Sequence, residues 1–267
     1  MPDDATTLLE AIAAKKARLD SLRPLSPEAL AKLEHYFDIE ITYASNAIEG
    51  NTLSPVETTL VIERGITISG KPLKDHLEAL DHYDAMRYIR ELGKASVPLT
   101  ESDIRNLHSL TVQRSLPNIA GRYADLNRYV RTETGRHVFP TPAEVPSLMG
   151  DLAAWLRDAP ETPETAFTSH RRLVDIHPFN DGNGRTARLL MNLVLIRAGY
   201  PPVAVRPEDR LSYIRALQEA QAGLGTEPLS AILYERLDAT LGEYLSALTD
   251  VGPIPEAARD LQGPGPC

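Results

Sequence analysis

Apolar residues along the chain recur mostly at helical spacing. Leu8, Ile12, Leu19 and Leu22 place one face of an amphipathic helix over residues 7–22. Ser26 followed by Pro27 reads as an N-cap with proline at the first helical position, opening a run through Leu30, Leu33, Phe37, Ile41 and Ile48 that Gly50 can end. Ser54-Pro55-Val56-Glu57 repeats the signal as a capping box, with Gly65 as the stop. Thr141-Pro142-Ala143-Glu144 is a third helix start, leading into Val145 and on to Leu156. Further helical periodicity covers about 74–92, 100–114, 163–176, 184–197, 207–222 and 228–248.

Residues 121–142 break the pattern. Aromatic and β-branched residues flank a Thr134-Gly135 turn, which predicts a β-hairpin or extended flap. An ordinary long loop is the competing reading. A lone hairpin is marginal by itself, so this one must lean on helices or receive a partner strand. The expected fold class is all-α with one small β insertion. Residues 249–267, rich in proline and glycine, are expected to be a disordered tail.

Composition narrows the setting. A chain of 267 residues is ample for its own core. Its single cysteine, Cys267, gives neither a disulfide framework nor a Cys-based zinc site and suits a reducing compartment. The start, Met1-Pro2-Asp3-Asp4, lacks the basic and apolar regions of a secretory signal. No run approaches the roughly 20 apolar residues that cross a bilayer, so a cytoplasmic protein without a membrane partner is expected. A net charge of −9 and the absence of a basic run argue against nucleic acid as a partner. A phosphorylated small molecule needs only a local positive site.

Such a site is written in residues 177–188: His177-Pro178-Phe179-Asn180-Asp181-Gly182-Asn183-Gly184-Arg185-Thr186-Ala187-Arg188. Pro178 ends the preceding helix and leaves His177 at the mouth of a loop, where a neutral imidazole can accept a proton. Gly182 and Gly184 permit positive φ and close backbone approach. The helix that follows offers unpaired N–H groups and the positive end of its dipole to an anion. Arg185 and Arg188, three residues apart, are expected to lean over one site. Asp181 supplies one hard oxygen, and Mg²⁺ characteristically takes one or two carboxylates with phosphates and water. A P-loop is excluded because no G-x-x-x-x-G-K-[ST] run exists. An EF-hand fails in both registers, since His177 or Phe179 would have to be its first ligand.

The run H-P-F-x-D-G-N-G-R-x-x-R resembles the signature of the Fic (filamentation induced by cAMP) family, and the resemblance extends from about residue 43 to about 245. It implies the Fic fold and an autoinhibited protein adenylyltransferase. His177 would be the general base, Asp181 the Mg²⁺ ligand, and Gly182, Asn183, Gly184, Arg185 and Arg188 the residues that hold the phosphates of ATP. The related Doc kinases carry Ala-Asn-Lys where this chain has Gly-Asn-Gly, which favours transfer of AMP. Ser45-Asn46-Ala47-Ile48-Glu49-Gly50 is similar to the family's inhibitory motif [ST]-x-x-x-E-[GN] in its N-terminal, class II placement. Ser45 and Glu49, four apart, share a helix face. In the family such a glutamate pairs with the second arginine, here Arg188.

The resemblance divides the chain into an N-terminal helical extension (1–42), a Fic domain (43–248) with inhibitory helix (43–50) and flap (121–141), and the tail. Tyr213 and Gln221, eight apart on one helix, match the family's nucleotide-base region weakly; packing and surface positions are the competing roles. The flap would dock an extended segment of a target protein. The same fold also admits removal of AMP by a water oriented on Glu49, and a non-catalytic peptide-binding module is the alternative of another class. A homodimer is compatible with the sequence. His108 and His137 read as packing or surface histidines, and His170 and Arg171 as neighbours that could support the loop.

Overall fold

A computed structural model describes residues 2–95, 97–132 and 135–250. Ten α-helices dominate: α1 (Pro2–Ser21), α2 (Pro27–Ile48), α3 (Pro55–Arg64), α4 (Leu73–Lys94), α5 (Glu101–Val112), α6 (Val145–Asp158), α7 (Pro163–Ile176), α8 (Asn183–Arg197), α9 (Arg210–Gln221) and α10 (Glu227–Asp250). Short 3₁₀ turns at Pro117–Ile119 and Pro207–Asp209 punctuate them. Strands β1 (Tyr129–Thr132) and β2 (Gly135–Val138) pair antiparallel, with Tyr129 opposite Val138 and Arg131 opposite Arg136. The fold is all-α with a hairpin; residues 133–134 lie outside the described residues.

The caps form as their residues dictate. Ser26 Oγ accepts from Ala29 N–H, and Ser54 and Glu57 complete a reciprocal capping box. Gly65 closes α3 at φ 62°, a left-handed angle that glycine adopts without strain. One start signal is displaced: Glu144 reaches back to the Thr141 N–H and hydroxyl, but that pair closes a turn, and α6 begins at Val145. Pro207 likewise opens a 3₁₀ turn rather than α9. The expected tail loses its first two residues to α10, and its remainder, 251–267, lies outside the described residues.

Helix α8 runs through the middle of the bundle, packed by α7 and α4, so it is buried on every side; Ala187, Leu189, Leu190, Met191 and Leu195 are fully enclosed. Helix α1 adds Ile12 and Leu19 to the same core, and Lys15 bonds Asp238 of α10 at 2.7 Å. Helix α2 passes residues 42–43 without a break, so the expected boundary between extension and domain falls inside a continuous helix.

Candidate active site

Helix α7 delivers His177. Thr162 caps its start, and at its end His177 takes φ 50°, ψ 56°, its N–H donating to Leu173 O at 2.9 Å. Among the described residues it is the non-glycine with positive φ, a conformation costing about 1–2 kcal/mol. The loop expected before Pro178 is therefore a left-handed helix cap. Such strain persists where surrounding structure holds it, and it clusters at functional sites. Here the holding group is Phe139 at the base of the flap, stacked on the imidazole at 3.9 Å. Burial pushes the His177 pKa down to about 4, against weaker opposing pulls from the Val174 carbonyl and Glu49. The ring is therefore neutral at pH 7.

The loop after His177 is braced from three directions. The Asn183 carboxamide accepts from Phe179 N–H at 2.9 Å and donates to Phe179 O at 2.7 Å. Ala124 N–H donates to Pro178 O. His108 stacks on Phe179 at 3.6 Å; its Nδ1 accepts from Gly121 N–H at 3.1 Å, so Nε2 carries the proton and donates to Asp181 O at 3.0 Å. Burial holds His108 near a pKa of about 4, consistent with that neutral tautomer. Gly182 sits at φ 78°, and a Cβ there would press on Val112 at 2.9 Å.

The first intrahelical bond of α8 runs from Thr186 N–H to Gly182 O, so the N–H groups of Asn183, Gly184 and Arg185 have no helical acceptor. This is the anion-binding end of a buried helix. A carboxylate stands over it: a Cβ on Gly184 would collide with Oε1 of Glu49 and reach Arg188 Nη1 at 3.2 Å. Gly184 is glycine for close approach rather than for backbone angle. Arg188, buried, donates to Glu49 Oε1 at 2.7 Å, to Ser45 Oγ at 3.0 Å and to Ser45 O at 2.9 Å. Ser45 O is one of the carbonyls that the end of α2 leaves without a helical donor; Ile48 O is another, and it receives Arg210 Nε from α9 at 2.7 Å. Two arginines thus cap the negative end of the helix that carries Glu49.

The two signature arginines diverge instead of sharing a target. Arg185 is 2% exposed and turns to Glu78 of α4 at 3.2 Å, with Nη2 3.4 Å from Asp181. Asp181 is half-exposed and its Oδ1 accepts from Gly182 N–H. Among the described residues no three potential ligand side chains cluster as a metal cage. A single open carboxylate beside an anion site fits Mg²⁺ shared with a polyphosphate, not a structural metal.

Tyr213 departs from the nucleotide-base expectation. Its ring is 1% exposed inside the core, its hydroxyl faces Arg188, and it bonds His170 Nε2 at 2.6 Å. Burial pushes His170 to a pKa of about 3, so the imidazole is neutral. Tyr213 supports Arg188 from behind. Gln221, the last residue of α9, is half-buried, and the structure brings no signature residue to it.

Sequence reasoning missed the roles of His108, Glu78, Phe139 and Arg210, and it named His170 only as a possible support for the loop. His108 carried a signal, since Ile104, Leu107, His108 and Thr111 form the buried stripe of α5 and a histidine in such a stripe needs partners. His137 leans on Phe139 edge-on at 4.9 Å, and Arg171 pairs with Asp175 within its own helix.

A neutral base, an anion-binding helix end and a buried arginine on a helical scaffold define a site for phosphate-bearing substrates. Comparison with known proteins gives the family. The Fic/DOC family pattern matches residues 98–195. The chain is similar to a protein adenylyltransferase Fic of Nematostella vectensis (37% identity over 95% of this chain and 59% of that protein) and to one of Aedes aegypti (35%, 89% and 48%). It thus spans about half the length of these curated relatives. A Fic domain containing signalling protein from Bacteroides thetaiotaomicron superposes with TM-score 0.83 at 32% identity, covering 90% of this chain and 97% of that one. Fic-1 of C. elegans gives 0.79 at 30%, covering 92% and 72%. The chain belongs to the Fic/DOC family. Among the described residues, no helix is long and apolar enough to cross a membrane.

Proposed function

We propose that this chain is a cytoplasmic protein adenylyltransferase held in check by Glu49, the N-terminal inhibitory arrangement of its family. The observation that carries the reading is the Glu49 carboxylate lying over Gly184 and bonded to Arg188, where a phosphate would otherwise meet the end of α8. With that place free, Arg188 and the N–H groups of residues 183–185 bind the polyphosphate of ATP. Neutral His177 takes the proton of a target Ser, Thr or Tyr hydroxyl. The oxygen forms a bond to the α-phosphorus while the bond to the bridging oxygen breaks, and pyrophosphate leaves. Asp181 would hold Mg²⁺, which when bound neutralises phosphate charge. Arg185, engaged by Glu78 and Asp181, keeps the loop in place.

Glu49 is 39% exposed and commits only Oε1 to Arg188, which favours one second reading: the free oxygen could orient a water that removes AMP from a modified protein. The test is self-labelling from α-labelled ATP. Glu49→Gly should raise it about tenfold or more, the equivalent of some 1.4 kcal/mol of released competition. Adding His177→Ala should remove it by about 10²-fold or more, the scale of general-base loss. Equal labelling of both variants rejects the mechanism. Loss of AMP removal in Glu49→Gly would support the second reading.

A further inference from the structure

The flap carries a charge pattern that its own fold does not need. Phe139 N–H donates to Arg128 O at 3.1 Å, making 128 and 139 a hydrogen-bonded pair of the ladder. By alternation 130–137 is another, while 129–138 and 131–136 are the closer, non-hydrogen-bonded pairs. Arg131 and Arg136 therefore face each other at the shorter cross-strand spacing, on the exposed side of the sheet beside exposed Tyr129 and Val138. Like charges directly opposite destabilise a strand pair. Arg136 finds partial relief over the Tyr129 ring at 5.8 Å; among the described residues no carboxylate pairs with either arginine. In a chain of net charge −9, residues 121–141 hold four arginines (122, 128, 131, 136) against Asp125 and Glu133, and Asp125 already accepts from Asn180.

The edges differ as well. In a non-hydrogen-bonded pair the backbone groups point away from the partner strand. On β1 that outward edge meets α9, where Gln218 approaches Arg131 O at 3.5 Å. On β2 the outward backbone groups of Arg136 and Val138 make no hydrogen bond among the described residues, an edge open to strand addition.

We propose that the flap selects acidic protein segments: an extended target strand pairs along the outer edge of β2 and sets Asp or Glu side chains on the exposed face beside Arg136, with Arg131 one strand further across the hairpin. This rests on the reading of the flap as the place where the target protein lies, and it names the chemistry of that target. Main-chain pairing supplies the docking. The arginine pair, which no carboxylate among the described residues neutralises, supplies the selection.

The test measures binding and labelling separately. Fluorescein-labelled 12-residue peptides with a central threonine carry Asp, Ala or Lys at alternate positions, and their anisotropy is followed with full-length protein and with the Arg131→Ser/Arg136→Ser double variant. The Asp peptide should bind about five- to tenfold more tightly than the Ala peptide, as two partly exposed ion pairs allow, and the double variant should lose that preference. The variant should melt no lower than wild type, because a repelling pair has gone. Equal binding of Asp and Ala peptides, preference retained by the double variant, tighter binding of a thymidine oligonucleotide of the same length, or no peptide binding would each overturn the proposal. Self-labelling by Glu49→Gly runs alongside. Labelling without acidic preference rejects the selection alone, whereas acidic preference without labelling rejects the transferase reading alone.

Discussion

Helix α2 and its C-cap hold carboxylates against two buried arginines, and the two sites are built differently. Near its middle, Asp38 and Arg90 are 5% and 10% exposed and share three hydrogen bonds of 2.6–2.9 Å, with Glu34 adding a fourth contact at 3.1 Å. At its end, Glu49 gives Arg188 one bond and keeps 39% of its side chain in solvent. Arg188 leans otherwise on neutral dipoles from Ser45 and Tyr213. The first pair has no second state to offer. The second, half in solvent on its acidic side, is the one that the proposed function opens to another anion.

Acid should separate the two ends most strongly. His82, His108, His170 and His177 all have depressed pKa values through burial, His108 and His177 to about 4 and His170 to about 3, and Arg188 adds to the depression of His82 and His170. The native state therefore binds fewer protons than the unfolded chain, whose histidines titrate near 6.5. Stability is complete above that value and drains away as pH falls toward 4, each group contributing about 1.4 kcal/mol per pH unit. Urea unfolding at pH 7 and pH 5 measures it, and hydrogen exchange at pH 5 should open the Arg188 end before the Asp38 end. A flat profile would contradict the burial of these rings.

Next in size, Asp38→Ala strands a buried guanidinium and should cost about 3–5 kcal/mol in urea unfolding. Glu49→Gly strands Arg188 less severely, because solvent already screens that pair, and should cost about 1–2 kcal/mol. The difference in kind appears on adding ATP with Mg²⁺: ligand at about 100 times its dissociation constant returns about 2.7 kcal/mol to Glu49→Gly, more than wild type gains, and does not offset the Asp38→Ala deficit. Equal ATP stabilisation of wild type and Glu49→Gly would deny that the carboxylate and the nucleotide compete. The smallest effect belongs to Arg210→Ala. It removes one hydrogen bond from the end of α2, about 1 kcal/mol, and should raise self-labelling about fivefold in wild type while leaving Glu49→Gly unchanged.

Local chemistry was legible in the sequence and distant partners were not. Ser26, Ser54 and Gly65 announce helix ends because caps are decided within four residues. The hairpin showed through its strand residues, although Gly135, expected in the turn, starts β2, and the Ser45 and Glu49 face follows from helical spacing alone. Arg185 misled because its partner, Glu78, stands more than a hundred residues earlier, and three-residue spacing on α8 says nothing of what α4 presents. Tyr213 misled for a related reason: an aromatic in an amphipathic helix looks the same whether its hydroxyl meets a ligand or His170. Thr141 and Glu144 form the capping contacts expected of them one turn before the helix that they announce.

Glu49 and Arg188 lie on one chain, and α2 holds them at bonding distance by its own packing. The carboxylate therefore meets the arginine at an effective concentration fixed by geometry and indifferent to how much protein is present. On the proposed function, a nucleotide has to outbid a competitor that never diffuses away, so a signal that loosens a single turn at the end of α2 would act as though it had raised the supply of ATP.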